Sequence, residues 1–334
     1  MDYIDNIYVI NLDRSQDRLE KMKKRMSELG EKITRISAID GKKLTEKELD
    51  TNVTFFCKNF CTPGIIGCFL SHRKTWETMI KNKDRYAMIL EDDCHLIDNF
   101  QSYLADAMNE LFKLDPDWDL LYGGSMGAYS KPDNSTLKGI FKSLIYSYSP
   151  TVHQKDYNGK HTYIPYSPLG THCYILSNKC AIKLLSNLEK ASYHLDITIL
   201  SNSSKFNIYV MKNFIGYQYS ILNNTSTIDS HNFPVILNKL FNNCHIDETS
   251  FSYGLSVPIM QVSGITINLY FILFITTIGS LFLFRNTTIL KSHMQIILLT
   301  FIVYLLCEFI IEPKNIANIS IYMLLTITLL ISCS

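Results

Sequence analysis

The chain has 334 residues, 32 of them basic and 31 acidic, for a net charge near +1. That balance provides no general attraction to nucleic acid, which is not expected as a partner. The 20 tyrosines, 18 phenylalanines and 47% apolar composition exclude a disordered chain.

Residues 6–12 (NIYVINL) form a short apolar run suited to a buried strand. No basic region precedes it and Asn11 interrupts it, so it is not expected to be a secretory leader. Ser15 is placed to cap a helix with apolar positions Leu19, Met22, Met26 and Leu29, closed by Gly30 in a left-handed turn. A second strand is predicted at 33–38, and Thr45 with Glu48 forms a capping-box pair for a short helix. Pro63 opens a longer helix to about residue 81, carrying Ile66, Leu70 and Trp76.

Residues 86–90 (YAMIL) read as a strand ending in Glu91-Asp92-Asp93, with a helix at 99–113 and a strand at 119–122 beyond. Residues 127–160 are polar and read as a long loop, followed by a strand at 172–177 and a helix at 179–189. Strands alternating with helices imply an α/β fold with a mostly parallel sheet covered on both faces.

Charge is unevenly spread. Residues 264–334 contain only Arg285, Lys291, Glu308, Glu312 and Lys314, leaving 29 residues of each sign in the first 263. Three apolar stretches, 264–284, 294–311 and 316–333, are candidate membrane spans. The expected organisation is a folded domain at 1–245, a linker at 246–263 and a membrane anchor of two or three helices at 264–334. The domain would face the cytoplasm, although Arg285 and Lys291 in the first loop hint at the opposite orientation.

Three adjacent carboxylates at the end of an apolar strand repel one another unless a cation sits among them. Strand alternation lets Glu91 and Asp93 converge on one ion while Asp92 points elsewhere, and hard oxygen donors suit Mg²⁺ or Mn²⁺. The bland alternative is a solvated acidic loop. Asp117-Trp118-Asp119 precedes its strand and reads as a turn and strand entry. Arg14 and Arg18, at helical spacing, either hold phosphates or form an exposed charge-paired helix start. Asp196 is a candidate base or a helix cap. His72 and His172 are isolated in sequence. The nine cysteines show no zinc-site spacing, since no second Cys or His pair accompanies Cys57, Cys61 and Cys68. They read as buried thiols.

Five blocks occur in order: VINLDRSQDRL (9–19), GIIGCFLSHRKTW (64–76), YAMILEDDC (86–94), DWDLLYGG (117–124) and PLGTHCYILSNKCAIKLL (168–185). Together they resemble glycosyltransferase family 25, which includes lipopolysaccharide and collagen galactosyltransferases. The resemblance implies a GT-A-type fold and an inverting, metal-dependent transfer of galactose or glucose from a UDP-hexose to a glycan, glycolipid or protein. It implies Mn²⁺ (or Mg²⁺) held by Glu91 and Asp93, with a late histidine, His194 or His231, as an extra ligand. Asn11, Arg14, Arg18, Ser71, His72, Asp92, Gly170 and Thr171 would line the nucleotide-sugar pocket, and Asp196 would be the base. The competing reading is an inactive, membrane-tethered sugar-nucleotide or glycan binding module.

Overall fold

The computed structural model describes residues 3–126, 128, 157–165, 168–218, 258–262 and 265–283. Its contacts divide the chain into two units, Met1–Ser226 and Thr227–Ser334.

In the first unit, β1 (Asn6–Asn11) leads into α1 (Gln16–Glu28), then β2 (Thr34–Ser37), α2 (Glu46–Asn52), α3 (Phe55–Phe60) and α4 (Pro63–Asn82). Next come β3 (Tyr86–Glu91), β4 (Cys94–Leu96), α5 (Phe100–Leu114), β5 (Leu120–Tyr122), β6 (Thr162–Tyr163) and β7 (Cys173–Ser177). The unit ends with α6 (Asn178–Asn187), α7 (Leu195–Ser201), β8 (Ile208–Met211) and β9 (Gly216–Gln218).

Ser15 stands at the N-cap position of α1 but its side chain makes no capping bond, whereas the other local signals act as their chemistry requires. Gly30 adopts φ +76 beyond α1, while Glu31 N donates to Met26 O at 2.8 Å, the bond that closes a helix with a left-handed residue. Thr45 and Glu48 form the reciprocal capping box of α2, and Thr62 caps α4 immediately before Pro63.

Seven strands form one sheet in the order β2-β1-β3-β7-β5-β8-β6. Five share a direction, and β7 and β6 run against them. The expected mostly parallel sheet is therefore present, with a reversed strand inserted at its centre. That reversal positions the site: the residues entering β7 lie beside the residues leaving β3, with Leu90 opposite Cys173.

Side-chain parity divides the core. Val9, Leu90, Leu121 and Ile175 pack with Met22 and Met26 of α1 and with Leu104, Met108 and Leu111 of α5. The opposite parity includes Tyr174, whose hydroxyl bonds Trp76 and His72 of α4. Both faces are thus covered by helices, as the alternation implied.

Glu110 of α5 pins residues 157–162 from below. Its carboxylate accepts from Tyr157 Oη, from Thr162 Oγ1 at 2.7 Å and from the backbone N–H groups of Lys160, His161 and Thr162. Burial alone would raise its pKa, but these donors outweigh burial and hold the carboxyl below its ordinary value. Such a depressed group stabilises the fold fully above the unfolded carboxylate value of about 4.3, and the contribution fades as pH falls through the folded value. Glu110→Gln is expected to cost about 1 kcal/mol at pH 7 and to flatten the acid limb of the stability curve. Urea melts between pH 3 and 7 check both. An acid limb as steep as that of the unsubstituted chain would assign the effect elsewhere.

Asp117 pairs with Lys179 at 2.8 Å on the surface. Asp119 is fully buried, bonds Lys183 at 2.6 Å and accepts from Asn207 N. The pair forms a turn and strand entry, as its position before β5 indicated.

In the second unit, β10 (Pro258–Val262) pairs antiparallel with β11 (Ile265–Asn268), and α8 (Leu269–Leu283) follows. The first expected span, 264–284, is therefore not helical throughout. Its β-branched start, Ile265-Thr266-Ile267, forms a strand, and Asn268 Oδ1 accepts from Phe271 N to open the helix only afterwards. The described part of α8, 15 residues, extends about 22 Å. No helix among the described residues is long and apolar enough to cross a membrane. The segments 294–311 and 316–333 lie outside the described residues.

Candidate active site

The ends of β1 and β3, the entry to β7, one face of α4 and the first turn of α7 meet at one edge of the sheet. An open α/β sheet binds ligands at such an edge.

Glu91 is the last residue of β3, and its N–H donates to His172 O at 3.0 Å. Its Oε1 accepts from Thr171 Oγ1 at 2.9 Å and lies 3.5 Å from His72 Nε2. Burial would raise this carboxyl, but His72, His172 and Thr171 together hold it below the ordinary range. Glu91 is therefore a carboxylate at neutral pH.

Asp92 and Asp93 occupy a turn between β3 and β4 rather than a continuation of the strand. This corrects the expected alternation. Asp92 Oδ2 accepts from Asn11 Nδ2 at 2.7 Å and Oδ1 from Arg18 at 3.1 Å. Asp93 lies 3.8 Å from the same Arg18 and accepts from Gln218 Nε2 at 3.2 Å. The turn thus gives Asp92 and Asp93 a shared cation and leaves Glu91 facing α4. Burial raises the Asp92 carboxyl, against the opposing pull of Asn11 and Arg18.

The two arginines also separate. Arg14 precedes α1 and pairs with Asp40, so the two do not share a helix face. Arg18 alone reaches the acidic turn. Asn11 is buried and donates to Ser15 O and Asp92 while accepting from Arg35 Nε. It joins β1, α1 and the acidic turn. Ser71 accepts from Ile39 N and donates to Gly67 O, tying the segment after β2 to α4.

Gly170 and Thr171 connect the sheet edge to α7. Gly170 has φ +85, a conformation that L side chains rarely adopt, and a Cβ there would lie 3.0 Å from Met126 Cε. Its N–H donates to Asp196 Oδ2 at 2.9 Å, and Ile197 N donates to Oδ1 at 2.7 Å. Asp196 is a first-turn residue of α7, with His194 at the N-cap, so two backbone donors aim its carboxylate. Each oxygen retains accepting capacity beyond one such bond.

Behind this edge, fully buried His72 joins its Nδ1 to Tyr174 Oη at 2.9 Å, and Trp76 Nε1 donates to the same oxygen at 3.0 Å. His172 is buried, and burial pushes its imidazole below the ordinary value against the opposing pull of Glu91. Gly124 allows this packing, because a Cβ there would lie 2.6 Å from His172 Nε2.

Cys68 was not among the expected site residues. It sits one helical turn before His72 on α4, and its sulfur, a His72 ring nitrogen and a Glu91 oxygen all lie within 4.8 Å of one another. Burial first, and then the carboxylates of Glu91, Asp196 and Asp93, push its thiol well above the ordinary value. The Cys-x-x-x-His spacing was present in the sequence, but its third partner comes from another element. Gln218 and Tyr174 were also missed, since each joins the site only through strand pairing. His194 packs its ring edge-on to Tyr193. His231 lies outside the described residues.

The sequence profile of glycosyltransferase family 25 (LPS biosynthesis protein) matches residues 4–199. The chain belongs to glycosyltransferase family 25. Its similar proteins include a glycosyltransferase 25 family member of Drosophila melanogaster, 31% identical over 55% of this chain and 28% of that protein. One from Aedes aegypti is 34% identical over 36% of this chain and 21% of that protein. Procollagen galactosyltransferase 2 of Mus musculus is 28% identical over 43% of this chain and 24% of its own length. The matched parts thus span under a third of each relative. Within this family 25 chain, the matched segment carries Asn11, Cys68, His72, Glu91–Asp93, Gly170, Thr171 and Asp196, while Gln218 and His231 lie beyond it.

Proposed function

We propose that this chain transfers a hexose, galactose or glucose, from a UDP-sugar to a hydroxyl of a glycan, glycolipid or protein, with inversion, on a GT-A-type domain. The observation that carries this reading is that adjacent Gly170 and Thr171 hold the carboxylates of Asp196 and Glu91 at one sheet edge, within the segment that the family shares. The relatives named procollagen galactosyltransferase support galactose as the first donor to test.

Mn²⁺ or Mg²⁺ binds through one or two carboxylates, with substrate phosphates and water completing the octahedron. Asp93 offers a carboxylate for that need, beside the neutral amide of Gln218 and 3.8 Å from Arg18, while Glu91 faces α4. When bound, such an ion offsets charge on the leaving diphosphate. Arg18 and Asn11 hold the Asp92 carboxylate and so fix the turn carrying Asp93. Asp196, aimed by Gly170 and Ile197, takes the proton from the acceptor hydroxyl as its oxygen bonds to the anomeric carbon and the bond to UDP breaks. A single displacement inverts that carbon.

A thermal-shift screen of UDP-galactose, UDP-glucose, UDP-GlcNAc and GDP-mannose, each with and without Mn²⁺, tests the donor and the ion. At a hundred times Kd, a UDP-hexose with the ion is expected to stabilise the chain by about 2.7 kcal/mol. Equal shifts with GDP-mannose, or none with any donor, would overturn the reading.

A further inference from the structure

We infer that Cys68, His72 and Glu91 form a binding site for a borderline divalent cation, Zn²⁺ above all, with an open fourth position. One donor atom from each residue lies within 4.8 Å of the other two. The His72 Nε2 to Glu91 Oε1 separation is 3.5 Å. Two ligands at tetrahedral positions around zinc stand about 3.4 Å apart, so this pair already has the required spacing.

A second observation is independent of the clustering. His72 is fully buried, and its Nε2 has no hydrogen-bond partner among the described residues. A buried polar atom without a partner is costly, and coordination would satisfy it. The other ring nitrogen is already placed. The 2.9 Å contact between Nδ1 and Tyr174 Oη fixes the ring with Nε2 facing Glu91. Histidine ligands of zinc regularly have such a partner on their second nitrogen.

The donor types set the metal. A thiolate with an imidazole and a carboxylate selects Zn²⁺ or Co²⁺ over Mg²⁺ or Mn²⁺, which prefer oxygen alone. Three protein ligands leave one position for water or a substrate oxygen. Cys68 and Glu91 are only partly buried, so the ion has an approach from solvent. Binding forms the sulfur–zinc bond and releases the thiol proton to water. The inference stands apart from the choice of sugar donor.

Cobalt provides the test, because a Co²⁺–thiolate bond absorbs in the near ultraviolet. The reduced full chain, freed of metal, is titrated with Co²⁺ and then with Zn²⁺, with no nucleotide or sugar present. One equivalent of Co²⁺ is expected to produce the charge-transfer band, and one equivalent of Zn²⁺ to abolish it. Cys68→Ser is expected to lose the band, and His72→Gln to weaken cobalt binding at least tenfold. Absence of the band in the unsubstituted chain, or its full survival in Cys68→Ser, would overturn the site. Should Cys68→Ser not fold, as judged by circular dichroism, His72→Gln decides: unchanged affinity overturns the site. Since no donor is present, failure here leaves the transferase proposal standing, and failure of the donor screen leaves this site standing.

Discussion

Asp196→Asn is expected to lower kcat for hexose transfer by about 10²–10⁴-fold, the range for removing a positioned general base. The substitution keeps size and shape. One amide oxygen can still accept from Gly170 N or Ile197 N, the two donors that now aim the carboxylate. The other contact becomes an N–H facing an N–H, so a stability loss of about 1–2 kcal/mol should accompany the change. The kinetic signature separates a base from a bracket for the Gly170 turn. Removal of a base depresses kcat and leaves donor KM nearly unchanged. Loss of a bracket would displace Thr171 and Glu91 as well, raising donor KM. Initial rates of UDP release across donor concentrations distinguish the two. A kcat within threefold of the parent would remove Asp196 from the chemistry.

Much of the fold was legible because local rules and tertiary packing agree. The capping box at Thr45 and Glu48, Pro63 after Thr62, and Gly30 past α1 each satisfy backbone groups that must be satisfied in any α/β context. The direction of β7 was not legible. Its residues have the same apolar character as β3, and strand polarity within a sheet depends on connections, not on composition. The site was legible in part for the same reason. Glu91, Gly170, Thr171 and Asp196 stand at element ends, where sequence marks a change of structure. The roles of Asp92 and Asp93 depended on where β3 stops. β3 stops at Glu91, so Asp93 lies in a turn beside Arg18 and not in strand alternation with Glu91. Cys68 was hidden because its partner Glu91 lies 23 positions away on another element, so no spacing in α4 alone could reveal it. In the tail, apolar composition indicated a helix from 264, but β-branched residues paired first as a strand.

Tyr174→Phe is expected to link stability and site chemistry. The substitution deletes one fully buried oxygen that serves both Trp76 Nε1 at 3.0 Å and His72 Nδ1 at 2.9 Å. Each group left without a partner costs about 1–3 kcal/mol, so a loss of about 2–6 kcal/mol follows. For a domain of this size that is a fall in Tm of at least about 5 °C. The partial remedy is specific. Trp76→Phe in the Tyr174→Phe background removes one orphaned donor, so the double variant should be less destabilised than the sum of the two single changes. A strictly additive cycle, or a Tm within 2 °C of the parent, would show that the hydroxyl carries no such burden. The same variant frees the imidazole that faces Glu91. Its cobalt affinity should therefore fall about 10–100-fold, the usual effect of losing a partner that orients a ligand. The tyrosine acts on the ion only through the ring it holds. Stability and affinity should therefore fall together in Tyr174→Phe, whereas Cys68→Ser, a change at a partly buried position, should lose the ion with little change in Tm.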